Sequence, residues 1–121
     1  MFTNILIVED EMIIALDLEL KLKNLRHNVT GTVSTGLDAI RFVNDNEVDL
    51  IFMDIFLKGK LSGVETALII REKYDTPIIY NSANSDFITH EKVKKTENYG
   101  FLVKPFDDIK LQQVIDNIIK L

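Results

Sequence analysis

The chain has 121 residues, of which 46% are hydrophobic, so it is long enough for one domain with a sizeable core. Its formal net charge of −5 and the lack of a basic tract argue against direct nucleic-acid binding. The absence of cysteine excludes disulfides and thiol catalysis, and it fits a reducing compartment such as the cytoplasm, where we expect the protein to act. The chain begins with a short apolar run followed by acids, which predicts neither a signal peptide nor a membrane span.

Short apolar runs alternate with helical patterns along the whole chain. Several runs lack the alternation of a half-exposed strand, which indicates strands covered on both faces. This order predicts one α/β domain over residues 1–121, with a parallel sheet, right-handed crossovers and helices on both faces. The predicted strands are residues 4–8, 28–33, 50–53, 78–82 and 101–103, and the predicted helices are residues 13–25, 35–44, 62–74, 86–96 and a last one beginning near 107 or 108.

Helical spacing and capping residues add detail to these elements. Ser34 or Thr35 is expected to cap the second helix, and the pattern Ser62-Gly-Val-Glu65 is a capping box that starts the third. His27 and His90 lack partner patterns and are predicted to be ordinary surface or edge residues. The predicted inward positions are Ile13, Leu16 and Leu20, then Leu37, Ile40 and Val43, then Ile88 and Val93, and finally Leu111, Val114, Ile115 and Ile118.

Polar side chains stand where the predicted strands end. Glu9 and Asp10 follow the first strand, and Asp54 is expected just past the third strand, at a wet edge of the sheet. Ser82 and Lys104 end the fourth and fifth strands. In a parallel sheet these five side chains converge on one edge, where such folds bind ligands. Singly, each has an ordinary explanation as a helix-start acid, a turn residue or a solvated strand end.

The three acids, the hydroxyl and the lysine suit one kind of chemistry. Clustered carboxylates raise each other's pKa, and a divalent cation relieves that cost. Oxygen ligands without histidine or cysteine favour Mg²⁺. A metal, Lys104 and Ser82 around Asp54 form a plausible phosphoryl-transfer site, in which Asp54 is the nucleophile and forms an aspartyl phosphate.

Four stretches, residues 5–11, 52–54, 77–83 and 101–106, resemble the receiver domain of two-component response regulators. They spread over nearly the whole chain, and their combined order is specific. The resemblance implies a flavodoxin-like three-layer (βα)5 fold with strand order 2-1-3-4-5. It also implies a phosphorelay switch that takes its phosphoryl group from a histidine kinase. The switch then acts on a downstream protein or an attached output domain. The resemblance does not identify the downstream partner. It also leaves open whether the protein forms a homodimer and whether this domain stands alone or is part of a longer protein.

Roles for single residues also come from this resemblance. It implies that Asp54 is the phosphoacceptor and that Mg²⁺ is held by Asp10, Asp54 and the backbone carbonyl of Phe56, with Glu9 holding the waters of the metal.

The phosphoryl group and the switch have their own implied residues. Ser82, the backbone of Ala83 and Lys104 would contact the phosphoryl group, and Ser82 with Phe101 would form the switch. The Lys104–Pro105 bond is expected to be cis.

The sequence departs from the family pattern in the loop after Asp54. The family often has a proline there and a glycine eight residues past the acid, but this loop has no proline and Gly63 lies nine residues past. We therefore predict that the loop of residues 57–61 is one residue longer, with its own conformation. Asn81 is also more polar than the usual residue before the hydroxyl.

Two other classes share parts of this pattern. A phosphatase of the haloacid dehalogenase type needs a second acid two residues after the nucleophile, where this chain has Phe56. A flavodoxin-like binder of flavin needs a hydroxyl- and glycine-rich loop after the first strand, where this chain has acids. A phosphate-binding loop of the G-x-x-x-x-G-K-[ST] type is absent from the sequence.

Overall fold

A computed structural model describes residues 4–83 and 90–119. Its five strands form one parallel sheet in the order β2-β1-β3-β4-β5, which confirms the predicted fold and strand order. The elements in chain order are β1 (Ile5–Val8), α1 (Met12–Asn24), β2 (Val29–Val33), α2 (Gly36–Asp45), β3 (Leu50–Asp54), α3 (Gly63–Arg71), β4 (Ile78–Ser82), α4 (His90–Lys94), β5 (Tyr99–Val103) and α5 (Asp108–Ile118).

The central strands β1, β3 and β4 are buried along their whole length. Alternate residues of each strand enter separate cores on the two faces of the sheet, because successive side chains of a strand point in opposite directions. One core packs against α2, α3 and α4, and the other against α1 and α5. This two-sided burial is why the central strands read as unbroken apolar runs.

Capping side chains start the helices where the sequence predicts. The hydroxyl of Thr35 accepts the N–H of Asp38 at 3.1 Å, which selects Thr35 over Ser34 as the cap of α2. Ser62 and Glu65 form the reciprocal capping box of α3 at 3.1 and 2.8 Å. Asp107 caps α5 through the N–H of Lys110, so the starts of these three helices follow from local hydrogen bonding.

The predicted inward face of α1 is wrong. The helix has two apolar stripes at helical spacing, separated by charged residues, and the sheet packs against the stripe that includes the small Ala15. Leu37 of α2 is likewise half exposed, whereas Val43 is buried as predicted. In α1 the buried residues are Ala15, Leu18 and Leu22, and the exposed ones are Ile13 (82%), Leu16 (51%) and Leu20 (61%).

Three smaller predictions also need correction. Asp54 is the last residue of β3 rather than a residue past it, and it is only 8% exposed, because the elements around the strand end enclose it. β5 begins at Tyr99, since the turn lies at Glu97 and Asn98, which have positive φ. α3 ends at Arg71 rather than near Tyr74.

His27 is buried rather than at the surface. The turn after α1 brings its ring against α5, where Nε2 lies 3.1 Å from the side-chain oxygen of Gln112. This contact joins residues 85 apart in sequence, so local patterns could not predict it. Val93 is buried as expected, whereas the predictions for Ile88 and for the side chain of His90 lie outside the described residues.

Candidate functional site

The carboxyl ends of four strands bring the five predicted side chains to one edge of the sheet. Glu9 and Asp10 follow β1, Asp54 ends the adjacent β3, Ser82 ends β4 and Lys104 follows β5. One carboxylate oxygen from each of the three acids lies within 4.8 Å of the others. The Lys104 ammonium lies 3.4 Å from Oε1 of Glu9. The structure therefore places four charged groups in one cluster, as the sequence predicts.

Local backbone donors orient the two buried acids. Oε2 of Glu9 accepts the N–H of Glu11 at 3.2 Å, and Oδ1 of Asp54 accepts the N–H of Phe56 at 3.2 Å. Both donors lie two residues after the acid, so each bond closes a short turn at the strand end. The carboxylates are thus held by the backbone of the turns that follow the two strands.

The electrostatics of the cluster favour an added cation. Burial, followed by the charge of Asp54, raises the pKa of Glu9 to about 7, against a smaller lowering by the Glu11 N–H and by Lys104. Burial also raises the pKa of Asp54, although the N–H of Phe56 and the charge of Lys104 oppose the shift. One lysine therefore does not offset the cost of holding these acids together.

The donor set fits Mg²⁺. The three acids offer hard oxygen ligands within reach of one another, and the described residues add no histidine or cysteine ligand to the cluster. Phe56 lies in the turn directly after Asp54, and its N–H donates to the Asp54 carboxylate. Asp10, Asp54 and the backbone carbonyl of Phe56 are the ligands that the resemblance implies.

The ends of β4 and β5 are joined beside the acids. The N–H of Lys104 donates to the carbonyl of Ser82 at 2.9 Å, and Ser82 is 3% exposed. Ala83 follows at the surface. The Lys104–Pro105 bond is cis, which confirms that prediction.

Phe101 lies two residues before the end of β5 and is half buried. It is in register with Tyr80 of β4, and the centroids of the two rings are 5.8 Å apart. Tyr99 completes the group at 5.7 Å from Phe101 and 6.2 Å from Tyr80. The hydroxyl of Tyr80 donates to Oγ1 of Thr96 at 2.9 Å, so this aromatic group links β5 to the end of α4. Burial raises the pKa of Tyr80 to about 12.

Gly63, whose spacing from Asp54 is unusual in the sequence, also has a packing role that the sequence did not predict. A Cβ at this position would lie 1.9 Å from the carbonyl oxygen of Asp54 and 3.0 Å from Cα of Ile55. The N–H of Gly63 donates to the carbonyl of Ile55 at 3.0 Å. The start of α3 therefore touches the backbone of the acid strand, which requires glycine.

Arg71 was also missed. Its guanidinium donates to the carbonyls of Tyr74 and Thr76 at 2.8 Å each, and to the carbonyl of Thr96. It thus ties the end of α3 to the chain before β4 and to the end of α4. No signal in the sequence pointed to these contacts, because backbone carbonyls are acceptors at every position.

Comparison with known families agrees with the resemblance. The sequence-family model of the response regulator receiver domain matches residues 5–116. The chain therefore belongs to this family. It is a domain of phosphorelay signalling rather than a metabolic enzyme, and the phosphatase and flavin-binding alternatives are not favoured. No helix among the described residues is long and apolar enough to cross a membrane.

Two curated relatives match most of the chain. The phyllosphere-induced regulator PhyR of Methylorubrum extorquens is 33% identical over 117 residues, which cover 95% of this chain and 43% of that protein. The response regulator ArlR of Staphylococcus aureus is 41% identical over 108 residues, which cover 87% of this chain and 47% of that protein. The chain spans less than half the length of these relatives.

Solved structures with the same fold include receiver domains. The signal receiver domain of a modulated diguanylate cyclase from Desulfovibrio desulfuricans G20 has a TM-score of 0.89. It is 33% identical, with coverage of 98% of this chain and 94% of that chain. That of a sensor histidine kinase from Pseudomonas aeruginosa PAO1 has a TM-score of 0.85, 30% identity and full coverage of both chains. It holds a magnesium ion in its active-site cleft. TrrA of Thermotoga maritima, in complex with Mg(2+)-BeF, has a TM-score of 0.85 and 27% identity over 97% and 99% of the two chains.

Proposed function

We propose that Asp54 accepts a phosphoryl group from a histidine kinase in a Mg²⁺-dependent reaction. The observation that carries this proposal is the buried Asp54 carboxylate, which shares one strand edge with Glu9, Asp10 and Lys104. An oxygen of Asp54 attacks phosphorus while the bond from phosphorus to the donor imidazole nitrogen breaks. That nitrogen keeps the electron pair, and the product is an aspartyl phosphate.

The residues around Asp54 supply positioning and charge. The N–H of Phe56 fixes one oxygen of the acid, which leaves the other for attack. Lys104 and the N–H of Ala83 are suited to hold phosphoryl oxygens at the strand ends. The domain thus promotes only its own phosphorylation and dephosphorylation.

Mg²⁺ would be held by Asp10, Asp54 and the carbonyl of Phe56, with Glu9 acting through water. When bound, the ion neutralises negative charge around the transferring phosphoryl group. Removing a direct ligand should weaken binding more than removing a residue that acts through water. We therefore expect Asp10→Ala to lose more Mg²⁺ affinity than Glu9→Ala, and the reverse order would overturn this assignment.

The switch connects the site to the surface of α4, β5 and α5. A phosphoryl group on Asp54 offers new acceptors to Ser82, and a charge-assisted hydrogen bond is worth roughly 1.5–3 kcal/mol. Movement of Ser82 would free space for the ring of Phe101. If the active form starts near about 1%, a bias of about 2.7 kcal/mol raises it to about half. Ser82→Ala should still accept phosphate but respond less around Phe101.

The wider context follows from the family and is part of the proposal. Residues 1–121 form one receiver domain that acts in the cytoplasm, either alone or joined to an output domain. The family pattern gives the class of the donor, a histidine kinase, without naming the kinase or the signal.

Acetyl phosphate tests the phosphoacceptor without a kinase. Wild type treated with acetyl phosphate and Mg²⁺ should gain the mass of one phosphoryl group, and the same reaction in EDTA should not. Asp54→Asn is nearly isosteric but a poor nucleophile, so it should gain none. Equal labelling of the two proteins would remove Asp54 from this role.

A further inference from the structure

The three acids of the site differ in the backbone groups that hold them. Glu9 and Asp54 each accept an N–H from two residues further along their own turn. Oδ2 of Asp10 instead accepts the N–H of Lys58 at 3.0 Å, across 48 residues of sequence. Within residues 4–83 and 90–119 this is the only hydrogen bond of the Asp10 carboxylate. The orientation of Asp10 therefore depends on a tertiary contact with the loop of residues 57–61.

The residues next to Lys58 fix the direction of its N–H. Leu57 is buried at 7% exposure and anchors the start of the loop. Gly59 has φ +102°, a conformation that L side chains rarely adopt, and the chain turns away there. The side chains of Lys58 and Lys60 are exposed. The backbone at Lys58 is thus held on both sides while its side chain is free of the core.

We propose that the N–H of Lys58 positions Asp10 as a ligand for Mg²⁺, which makes the loop of residues 57–61 part of the metal site. The inference rests on the proposed function. Because this loop has no proline, residue 58 retains the N–H that the bond requires. The bond holds Oδ2 of Asp10 and so restricts the side chain to one rotamer. The other oxygen, Oδ1, is then available to bind the metal.

The role belongs to the backbone of residue 58 and not to its ammonium group. Groups that orient a ligand without touching the metal typically contribute ten- to a hundred-fold in affinity. Loss of the N–H should therefore weaken Mg²⁺ binding by at least about tenfold. Loss of the side chain alone should leave the affinity close to that of wild type.

Two substitutions at this position separate these roles. Lys58→Pro removes the N–H and the lysine side chain, whereas Lys58→Ala removes the side chain beyond Cβ and keeps the N–H. Mg²⁺ is titrated into each metal-free protein by calorimetry, with the free energy of unfolding in EDTA as the check on folding. The proposal expects a loss of at least about tenfold in Lys58→Pro and none in Lys58→Ala. Equal affinities for Lys58→Pro and wild type overturn it, as does an equal loss in both variants.

Amide exchange tests the contact itself without relying on the proline variant to fold. In metal-free wild type the Lys58 N–H should exchange with water slowly for an exposed loop residue. In Asp10→Ala it should exchange faster by at least about tenfold, whereas Glu9→Ala should leave it unchanged. Equal exchange in wild type and Asp10→Ala overturns the proposal. If wild type fails to bind Mg²⁺ at all, the proposed function fails, and the exchange result still decides whether Lys58 holds Asp10.

Discussion

Gly63→Ala should damage both the fold and the site, although it adds a single methyl group. The new Cβ would lie 1.9 Å from the carbonyl oxygen of Asp54, whereas non-bonded heavy atoms prefer separations of about 3.5–4.0 Å. The start of α3 must therefore move by at least about 1.6 Å away from the strand that carries the phosphoacceptor. Overpacking typically costs about 1–3 kcal/mol, and two facing backbones yield less than side chains, so we expect about 3 kcal/mol.

Gly100→Ala is the matched control for this substitution. Among the described residues, the nearest atoms to its Cβ would be side-chain carbons of Ile79, Val114 and Ile118 at 3.7–3.8 Å, which is ordinary contact. Urea unfolding followed by circular dichroism measures both variants. We expect a large loss in the free energy of unfolding for Gly63→Ala and a small change for Gly100→Ala. A Gly63→Ala protein as stable as wild type, or a greater loss in Gly100→Ala, would refute this expectation.

Three further predictions concern buried polar groups. Oδ1 of Asn81 is buried without a hydrogen-bond partner among the described residues, so Asn81→Leu should raise the free energy of unfolding by about 1 kcal/mol; a loss would contradict this. Tyr80→Phe should cost about 1–3 kcal/mol by removing the bond to Thr96. Because the pKa of Tyr80 is raised to about 12, wild type should also lose stability between pH 10 and 12 relative to this variant in urea unfolding. In EDTA, the raised pKa of Glu9 means that its contribution to stability is complete below pH 4.5 and is lost as the pH rises to about 7. The stability of wild type relative to Glu9→Gln should therefore fall over that range by up to about 1.4 kcal/mol per pH unit, and a rise would reverse the sign argued here.

The sheet and the strand-end site were predictable because both depend on short-range patterns. Unbroken apolar runs such as residues 50–53 identify central strands, and parallel strands bring their carboxyl ends to one edge. The capping box at Ser62 likewise works within four residues. Once these elements were placed, the positions of Asp54 and Lys104 followed from topology alone.

The failures have a common physical origin in contacts between distant segments. The helix α1 carries two apolar stripes, and only the shape of the sheet decides that Ala15 lies inside and Ile13 outside. The burial of His27 depends on α5, and the hydrogen bond from Lys58 to Asp10 joins residues that are 48 apart in sequence. Hydrophobic periodicity reports only on neighbouring residues, so it cannot predict contacts between segments that are far apart in sequence.

The central claim is that the carboxylate of Asp54 becomes an acyl phosphate, and borohydride trapping tests this at the level of one residue. Borohydride reduces an aspartyl phosphate to homoserine and leaves a free carboxylate unchanged. Wild type treated with acetyl phosphate and Mg²⁺, reduced and digested, should yield a peptide with homoserine at position 54 and nowhere else. The peptide from the EDTA control should retain aspartate. Homoserine at Asp10 or another acid, with Asp54 intact, would contradict the account.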